Sequence, residues 1–350
     1  MRSHTKETQD ILTPELALEI LKEGNERFMN NIKSHRNLLE QVNETSSGQF
    51  PFAAILSCID SRTSAELIFD QGLGDIFSIR IAGNILNEDI PKLKGNINHS
   101  VCSWTYNFLG LEGMCAMVKK LGVNAIDLLA PKDWPIIQKH GITCSMCYAN
   151  GKISLTEGWN NKNFHPELIK NFTEAIPLVA AAGYKNLICF SGNRKGIDDE
   201  TGLNNMSEGI KQVIGLAEKN GVTIQIEVFN SKVDHKDYMA DNTKWAVDLC
   251  KKIGSENFKI LYDIYHMQVN EGDVIRTIQN NHQYFGHYHT AGVPGRHEID
   301  ETQELFYPAI MKAILATSYK GYVAQEFIPS GKESSDKIAA LKKAIKICDV

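Results

Sequence analysis

Ile260-Leu261-Tyr262-Asp263-Ile264-Tyr265-His266 is a strand-type apolar run that carries an aspartate and a histidine, although burial of a charge is costly unless it is paired or bound to a metal. The same conflict recurs nearby. Thr223-Ile224-Gln225-Ile226-Glu227-Val228-Phe229-Asn230 ends near a glutamate, Phe285-Gly286-His287-Tyr288-His289 near two histidines, and Val323-Ala324-Gln325-Glu326-Phe327 near a second glutamate. Working outward, strand-like runs are expected at 96–103, 125–130, 142–149, 186–192, 222–230, 258–267, 284–291 and 322–328. Helical patterns lie between and after them, at 109–121, 166–182, 207–220, 243–253, 273–281, 306–317 and 336–347. Several of these stop at a glycine, namely Gly122, Gly183, Gly221 and Gly254, a common helix terminator. Eight βα units in about 260 residues match the α/β class and the (β/α)8 TIM barrel. An open doubly wound sheet would need a switch point and a Gly-rich phosphate loop after its first strand, and the sequence offers no such loop.

Composition sets the outer limits. The chain has 350 residues, is 43% hydrophobic and 23% charged, and carries a formal charge of −5, which is ordinary for a globular protein. That charge provides no basic footprint for nucleic acid or anionic lipid. The apolar runs are too short to span a bilayer, and the polar start has no secretory signal, so a cytoplasmic location is expected. The eight cysteines are scattered, mostly in apolar runs, and read as buried thiols. In a regular strand, Cys144 and Cys147 of the single C-x-x-C face opposite sides, so they are not expected to share a metal.

A barrel gathers its chemistry at the carboxyl ends of its strands. Four successive strands there offer Glu227, Asp263, His289 and Glu326. Three carboxylates and one imidazole form a hard-leaning donor set, suited to one Mn²⁺, Mg²⁺ or Co²⁺ with room for substrate oxygens. His287, two residues before His289, is expected one layer deeper on the same side, as an outer partner or a satisfied core residue.

The stretches Glu227-Val228-Phe229-Asn230, Tyr262-Asp263-Ile264-Tyr265-His266-Met267-Gln268 and Gly286-His287-Tyr288-His289-Thr290-Ala291-Gly292-Val293-Pro294-Gly295-Arg296-His297-Glu298 resemble the hydroxypyruvate isomerase branch of the xylose-isomerase-like barrels. The resemblance runs from about residue 92 to the C-terminus. It implies that Glu227 and Glu326 are both metal ligands and the acid–base pair, that Asp263 and His289 complete the metal shell, and that His266 and Arg296 contact substrate. It departs at one position: several hydroxypyruvate isomerases carry Gln where His289 stands, and His is usual among sugar 3-epimerase relatives. The implied reaction converts a hydroxypyruvate-like 2-keto compound into its aldehyde isomer through an enediol, with a ketose 3-epimerase or isomerase as the alternative. Proton transfer between adjacent carbons suits two carboxylates, and a metal stabilises the developing oxyanion. Arg296 would grip a substrate carboxylate in bidentate fashion.

Residues 1–90 have a different organisation. An amphipathic helix over 13–30, with Ala17, Ile20, Leu21 and Phe28 on its stripe, precedes a buried-type strand at 52–58, a short helix at 65–69 and a second strand at 76–81. Cys58-Ile59-Asp60-Ser61-Arg62 and Arg80-Ile81-Ala82-Gly83-Asn84 resemble the amino-terminal half of β-carbonic anhydrases. By that resemblance Cys58 is a zinc ligand, with Asp60 and Arg62 as the pair controlling access to the metal. The family completes its zinc shell with a His-x-x-Cys. This chain has His99-Ser100-Val101-Cys102, but 99 − 58 = 41 residues is a short separation, and the stretch resembles the first barrel strand. The expected division is therefore a truncated anhydrase-like segment, 1–90, and a barrel, 91–350. A catalytic zinc takes three protein ligands, so Cys58 and Asp60 alone would hold Zn²⁺ weakly. A zinc lyase built on Cys58, His99 and Cys102 is the alternative activity. The expected partner is a small hydroxy-keto acid or sugar, with no nucleic acid and no membrane; homo-oligomers are compatible with this reading.

Overall fold

The computed structural model describes residues 4–46, 48–60, 62, 64–80, 96–149 and 154–350. The chain divides into two compact units, Met1–Leu93 and Lys94–Val350. The expected boundary at residue 90 lies outside the described residues, as do Ser61 and Ile81-Ala82-Gly83-Asn84.

In the first unit β1 (Ala53–Ser57) pairs in parallel with β2 (Ile76–Arg80). The helix Pro14–Met29 begins where Thr13 caps it, its side chain accepting from Leu16 N with proline in the first turn. Gly24 brings this helix against the chain after the short helix Ala65–Ile68, because a Cβ there would lie 1.8 Å from the Phe69 carbonyl oxygen. Asp70 ties the same two segments together. Its carboxylate accepts from Arg27 Nε (2.6 Å), Arg36 Nη1 (2.6 Å) and Ser34 Oγ (2.7 Å). The expected burial of this unit is only partly realised. Ala17, Ile20 and Leu21 are half-buried, Phe28 is 46% exposed, and β1 is half-buried apart from exposed Ala54. Among the described residues, two strands and a few helices do not cover two sheet faces.

In the second unit eight parallel strands close into a barrel: β3 (Asn98–Cys102), β4 (Ala125–Leu129), β5 (Thr143–Cys147), β6 (Asn186–Cys189), β7 (Thr223–Glu227), β8 (Phe258–Asp263), β9 (Phe285–Thr290) and β10 (Tyr322–Gln325). The seam pairs Tyr322 with Asn98 through Gln325 with Val101. The helices Ile214–Asn220 and Thr243–Ile253 end at Gly221 and Gly254, whose φ values of 64° and 74° are left-handed, a conformation glycine adopts freely.

Three local expectations are corrected. The helix expected at 207–220 is two helices, Asp199–Ile210 and Ile214–Asn220. Asp198 caps the first of them early, its side chain accepting from Thr201 N. The strand expected at 258–267 ends at Asp263, whose carboxylate accepts from His266 N and starts the helix Ile264–Asn270; a short apolar run reads alike for a buried strand and a buried helix. The Cys144 and Cys147 sulfurs lie 3.5 Å apart instead of on opposite faces. Register shifts between β4 and β5 break the two-residue alternation there.

The Asp70 hub generates a prediction. Burial raises this carboxyl's pKa, but hydrogen bonds from Arg27, Ser34 and Arg36 outweigh it and hold the group well below the usual carboxylate range. A depressed folded pKa gives stabilisation that is complete above the unfolded value of about 3.9 and fades as pH falls through that region. Asp70→Asn should cost the first unit on the order of 3 kcal/mol at neutral pH. Amide exchange over residues 53–80 should accelerate while the barrel's protection stays unchanged. Unaltered exchange in the first unit would show that the hub does not hold it.

Candidate active site

The last residue of β7 is Glu227, the last of β8 is Asp263, His289 is next to last in β9, and Glu326 directly follows β10. One donor atom from each lies within 4.8 Å of the others. All four residues are buried. His289 Nδ1 is 2.9 Å from Glu227 Oε1 and 2.5 Å from Glu326 Oε2. Neither approach is aligned as a hydrogen bond, and among the described residues Glu227 Oε1 and His289 Nδ1 have no aligned hydrogen-bond partner. Buried polar atoms are seldom left unpaired. Two such atoms beside two more carboxylates have the donor character and convergence of a divalent-cation site.

The surrounding groups fix these side chains. Trp104 Nε1 donates to Glu326 Oε1 at 2.8 Å. Arg296 Nη2 donates to Asp263 Oδ2 at 3.0 Å and also to Glu326 Oε2. The guanidinium lies against the Tyr265 ring and touches His266 Nε2. Asn230 Nδ2 donates to His266 Nδ1 at 2.7 Å, and Phe229 and His235 pack against the imidazole. Arg296 has a left-handed φ of 58°.

The electrostatics follow from burial and proximity. Burial pushes Glu227 up to about 7, with the Glu326 charge adding to that effect and His289 opposing it. Burial would raise Glu326 too, but His289, Arg296 and the Trp104 hydrogen bond bring it down to about 2. Burial raises Asp263 against the pull of Arg296. His266 is held well below the ordinary imidazole range by burial and by Arg296, so it is neutral.

The residues singled out for the barrel therefore come together: Glu227, Asp263, His289 and Glu326 as one cluster, with His266 and Arg296 at its edge. Sequence reasoning missed Asp127, on β4, and Trp104. Asp127 was findable by the argument that found the others, since it is a charge inside the apolar run 125–130. Trp104 gave no signal beyond being an aromatic residue.

The anhydrase-like residues form a smaller arrangement. Asp60 pairs with Arg62 (Oδ2–Nη2 2.6 Å), which holds its carboxyl down to about 2, and Arg80 reaches the Asp60 carbonyl. Cys58 is half-buried. Among the described residues, neither group able to hold a metal includes Cys58 or Asp60. His99 and Cys102 leave opposite faces of β3. His99 Nε2 lies 3.7 Å from Asp349 Oδ1, whereas Cys102 Sγ faces the barrel interior, 3.8 Å from Asp127 and 3.9 Å from His289.

Comparison with known proteins agrees with this architecture. The family model described as a xylose isomerase-like TIM barrel matches residues 116–344, and the chain belongs to that family. A carbonic anhydrase family model matches residues 53–108. The chain is 33% identical over 128 residues to the 2-oxo-tetronate isomerase of Cupriavidus necator, covering 37% of this chain and 48% of that protein. It is 31% identical over 156 residues to the hydroxypyruvate isomerase of Escherichia coli, covering 44% and 60%. It is 42% identical over 89 residues to carbonic anhydrase 2 of Mycobacterium tuberculosis, covering 25% and 42%. The chain thus spans about half the length of the curated relatives it matches. A solved AP endonuclease, family 2, from Brucella melitensis shares the fold, with a TM-score of 0.62 and 22% identity over 71% of this chain and 97% of that one. Among the described residues, no helix is long and apolar enough to cross a membrane.

Opposed His99 and Cys102 cannot both ligate one ion while β3 keeps its place in the barrel. The full chain is therefore expected to hydrate CO₂ no faster than buffer in a stopped-flow assay with zinc supplied. Hydration that vanishes in Cys58→Ser and again in Cys102→Ser would overturn this expectation.

Proposed function

We propose that the barrel is a metal-dependent isomerase that interconverts a hydroxypyruvate-like 2-keto compound and its aldehyde isomer through an enediol. The observation that carries this reading is the convergence of Glu227, Asp263, His289 and Glu326, with Glu227 Oε1 and His289 Nδ1 lacking an aligned hydrogen bond among the described residues. These four residues would hold one Mn²⁺, Mg²⁺ or Co²⁺, which when bound supplies a Lewis acid for adjacent carbonyl and hydroxyl oxygens. The named relatives, a 2-oxo-tetronate isomerase and a hydroxypyruvate isomerase, support the same class of reaction.

The remaining steps belong to the chain's own residues. Glu227 ends β7 and Glu326 directly follows β10, strands that are not neighbours in the barrel, so two carboxylates reach the same space from different directions. One takes the proton from the hydroxyl-bearing carbon and the other returns a proton to the former carbonyl carbon, while the hydroxyl proton passes to the former carbonyl oxygen, so that the enediol closes to the aldehyde isomer with no net gain or loss of protons. Trp104 fixes Glu326 for this by occupying its Oε1. Arg296 offers a planar fork for a substrate carboxylate and gives up its bonds to Asp263 and Glu326 to make that contact. Neutral His266 is placed by Asn230 to exchange a hydrogen bond with a substrate oxygen.

Glu227→Gln and Glu326→Gln should each lower turnover by at least about 10²-fold. The measurement is interconversion of hydroxypyruvate and tartronate semialdehyde after chelation and readdition of Mn²⁺ or Mg²⁺. Near-normal turnover in either variant with its metal in place would refute the two-glutamate scheme. His289 at the ligand position favours a second reading, a ketose 3-epimerase. Turnover of free ketoses in place of the keto acid would establish it.

A further inference from the structure

We infer that Asp127 is a positioning residue that sets which nitrogen of His289 faces the carboxylate cluster. This rests on the metal reading proposed above and extends it to a residue outside the ligand set.

Asp127 lies on β4, which does not pair with β9, so it reaches His289 across the barrel interior. It is wholly buried. Oδ2 meets His289 Nε2 at 2.8 Å and His287 Nε2 at 3.1 Å, while Oδ1 accepts from Ser145 Oγ at 2.5 Å and Ser100 Oγ at 3.5 Å. Each contact comes from a different strand or residue of the floor, and all converge on one carboxylate. Stripped of these donors, a buried carboxylate would be strongly destabilised.

An ionised carboxylate only accepts, and a neutral imidazole has one N–H. A proton of His289 is therefore held on Nε2, beside Asp127, and Nδ1 is the nitrogen turned to Glu227 Oε1 and Glu326 Oε2. Burial disfavours a charged imidazole, but Glu326, Glu227 and Asp127 hold its pKa well above the ordinary range, so without a metal Nδ1 carries a second proton. A divalent ion would take the place of that proton against the same two carboxylates. Asp127 thereby prepares the upper face of the imidazole for a metal. It also blocks the lower face, where Cys102 Sγ, Asp127 and His289 Nε2 would otherwise form a second donor group. A proton on Nε2 closes that group to ions. Orientation of a ligating histidine by an outer carboxylate commonly changes metal affinity 10–100-fold.

The test uses Mn²⁺ affinity of the full chain, read by electron paramagnetic resonance, with unfolding followed in parallel. Asp127→Asn should weaken Mn²⁺ binding about 10–100-fold, whereas Ser145→Ala and Cys102→Ser should bind nearly as the parent does. Should Asp127→Asn fail to fold, ¹⁵N spectra of the Mg²⁺-loaded parent decide the matter: the inference requires a protonated Nε2 and a bare Nδ1 on His289. The reverse tautomer would overturn it. So would unchanged Mn²⁺ affinity in Asp127→Asn alongside lost affinity in Glu326→Gln, a result that leaves the metal reading intact. Loss of Mn²⁺ in Cys102→Ser would place the ion in the lower group and overturn the inference. A parent chain that takes up no Mn²⁺ overturns the metal reading itself, and the inference with it.

Discussion

Three carboxylates and an imidazole held out of water at one mouth of a barrel are the constraint around which the second unit is organised. Like charges at such distances repel, and burial removes the solvent that would screen them. The surrounding groups answer that repulsion. Arg296 lays a guanidinium on Asp263 and Glu326, Trp104 donates to the far oxygen of Glu326, and Asp127 takes the other side of His289. Aliphatic side chains would fill a barrel of this size without that repulsion, and the proposed metal site accounts for the charges being kept there.

Much of this was legible in the sequence because charge stands out against an apolar strand. Glu227, Asp263 and Glu326 were visible for that reason, and the resemblance in the stretch through Pro294-Gly295-Arg296 drew in Arg296, which the structure places beside them. The spacing of strand and helix patterns was enough for the barrel, since βα alternation admits few closed topologies. What escaped was geometry that no local pattern encodes. The Cys144–Cys147 approach depends on a register shift against β4, a property of two strands together. The early end of β8 depends on Asp263 capping the next helix, in a run where strand and helix look alike. Asp127 escaped differently. Its signal was present, but a single aspartate on β4 had no neighbour in sequence to make it conspicuous.

The first unit obeys other constraints. Its described residues form two strands and a few helices that bury little, and an ionic hub at Asp70 and the close approach at Gly24 join its pieces. Its likeness to carbonic anhydrases is real in sequence. The zinc chemistry of that resemblance needs a His-x-x-Cys whose two side chains meet, however, and β3 turns His99 and Cys102 apart. The barrel and the anhydrase site thus make incompatible demands on one stretch of chain, and the hydrogen bonds of β3 to β10 and β4 satisfy the barrel.

Anomalous scattering from crystals of the full chain equilibrated with Mn²⁺ tests the central claim most directly. The account predicts one strong peak, bounded by Glu227, Asp263, His289 Nδ1 and Glu326, with the Arg296 guanidinium withdrawn from Asp263. A peak beside Cys102 and His289 Nε2, or an empty cluster with Arg296 still bridging Asp263 and Glu326, would contradict it.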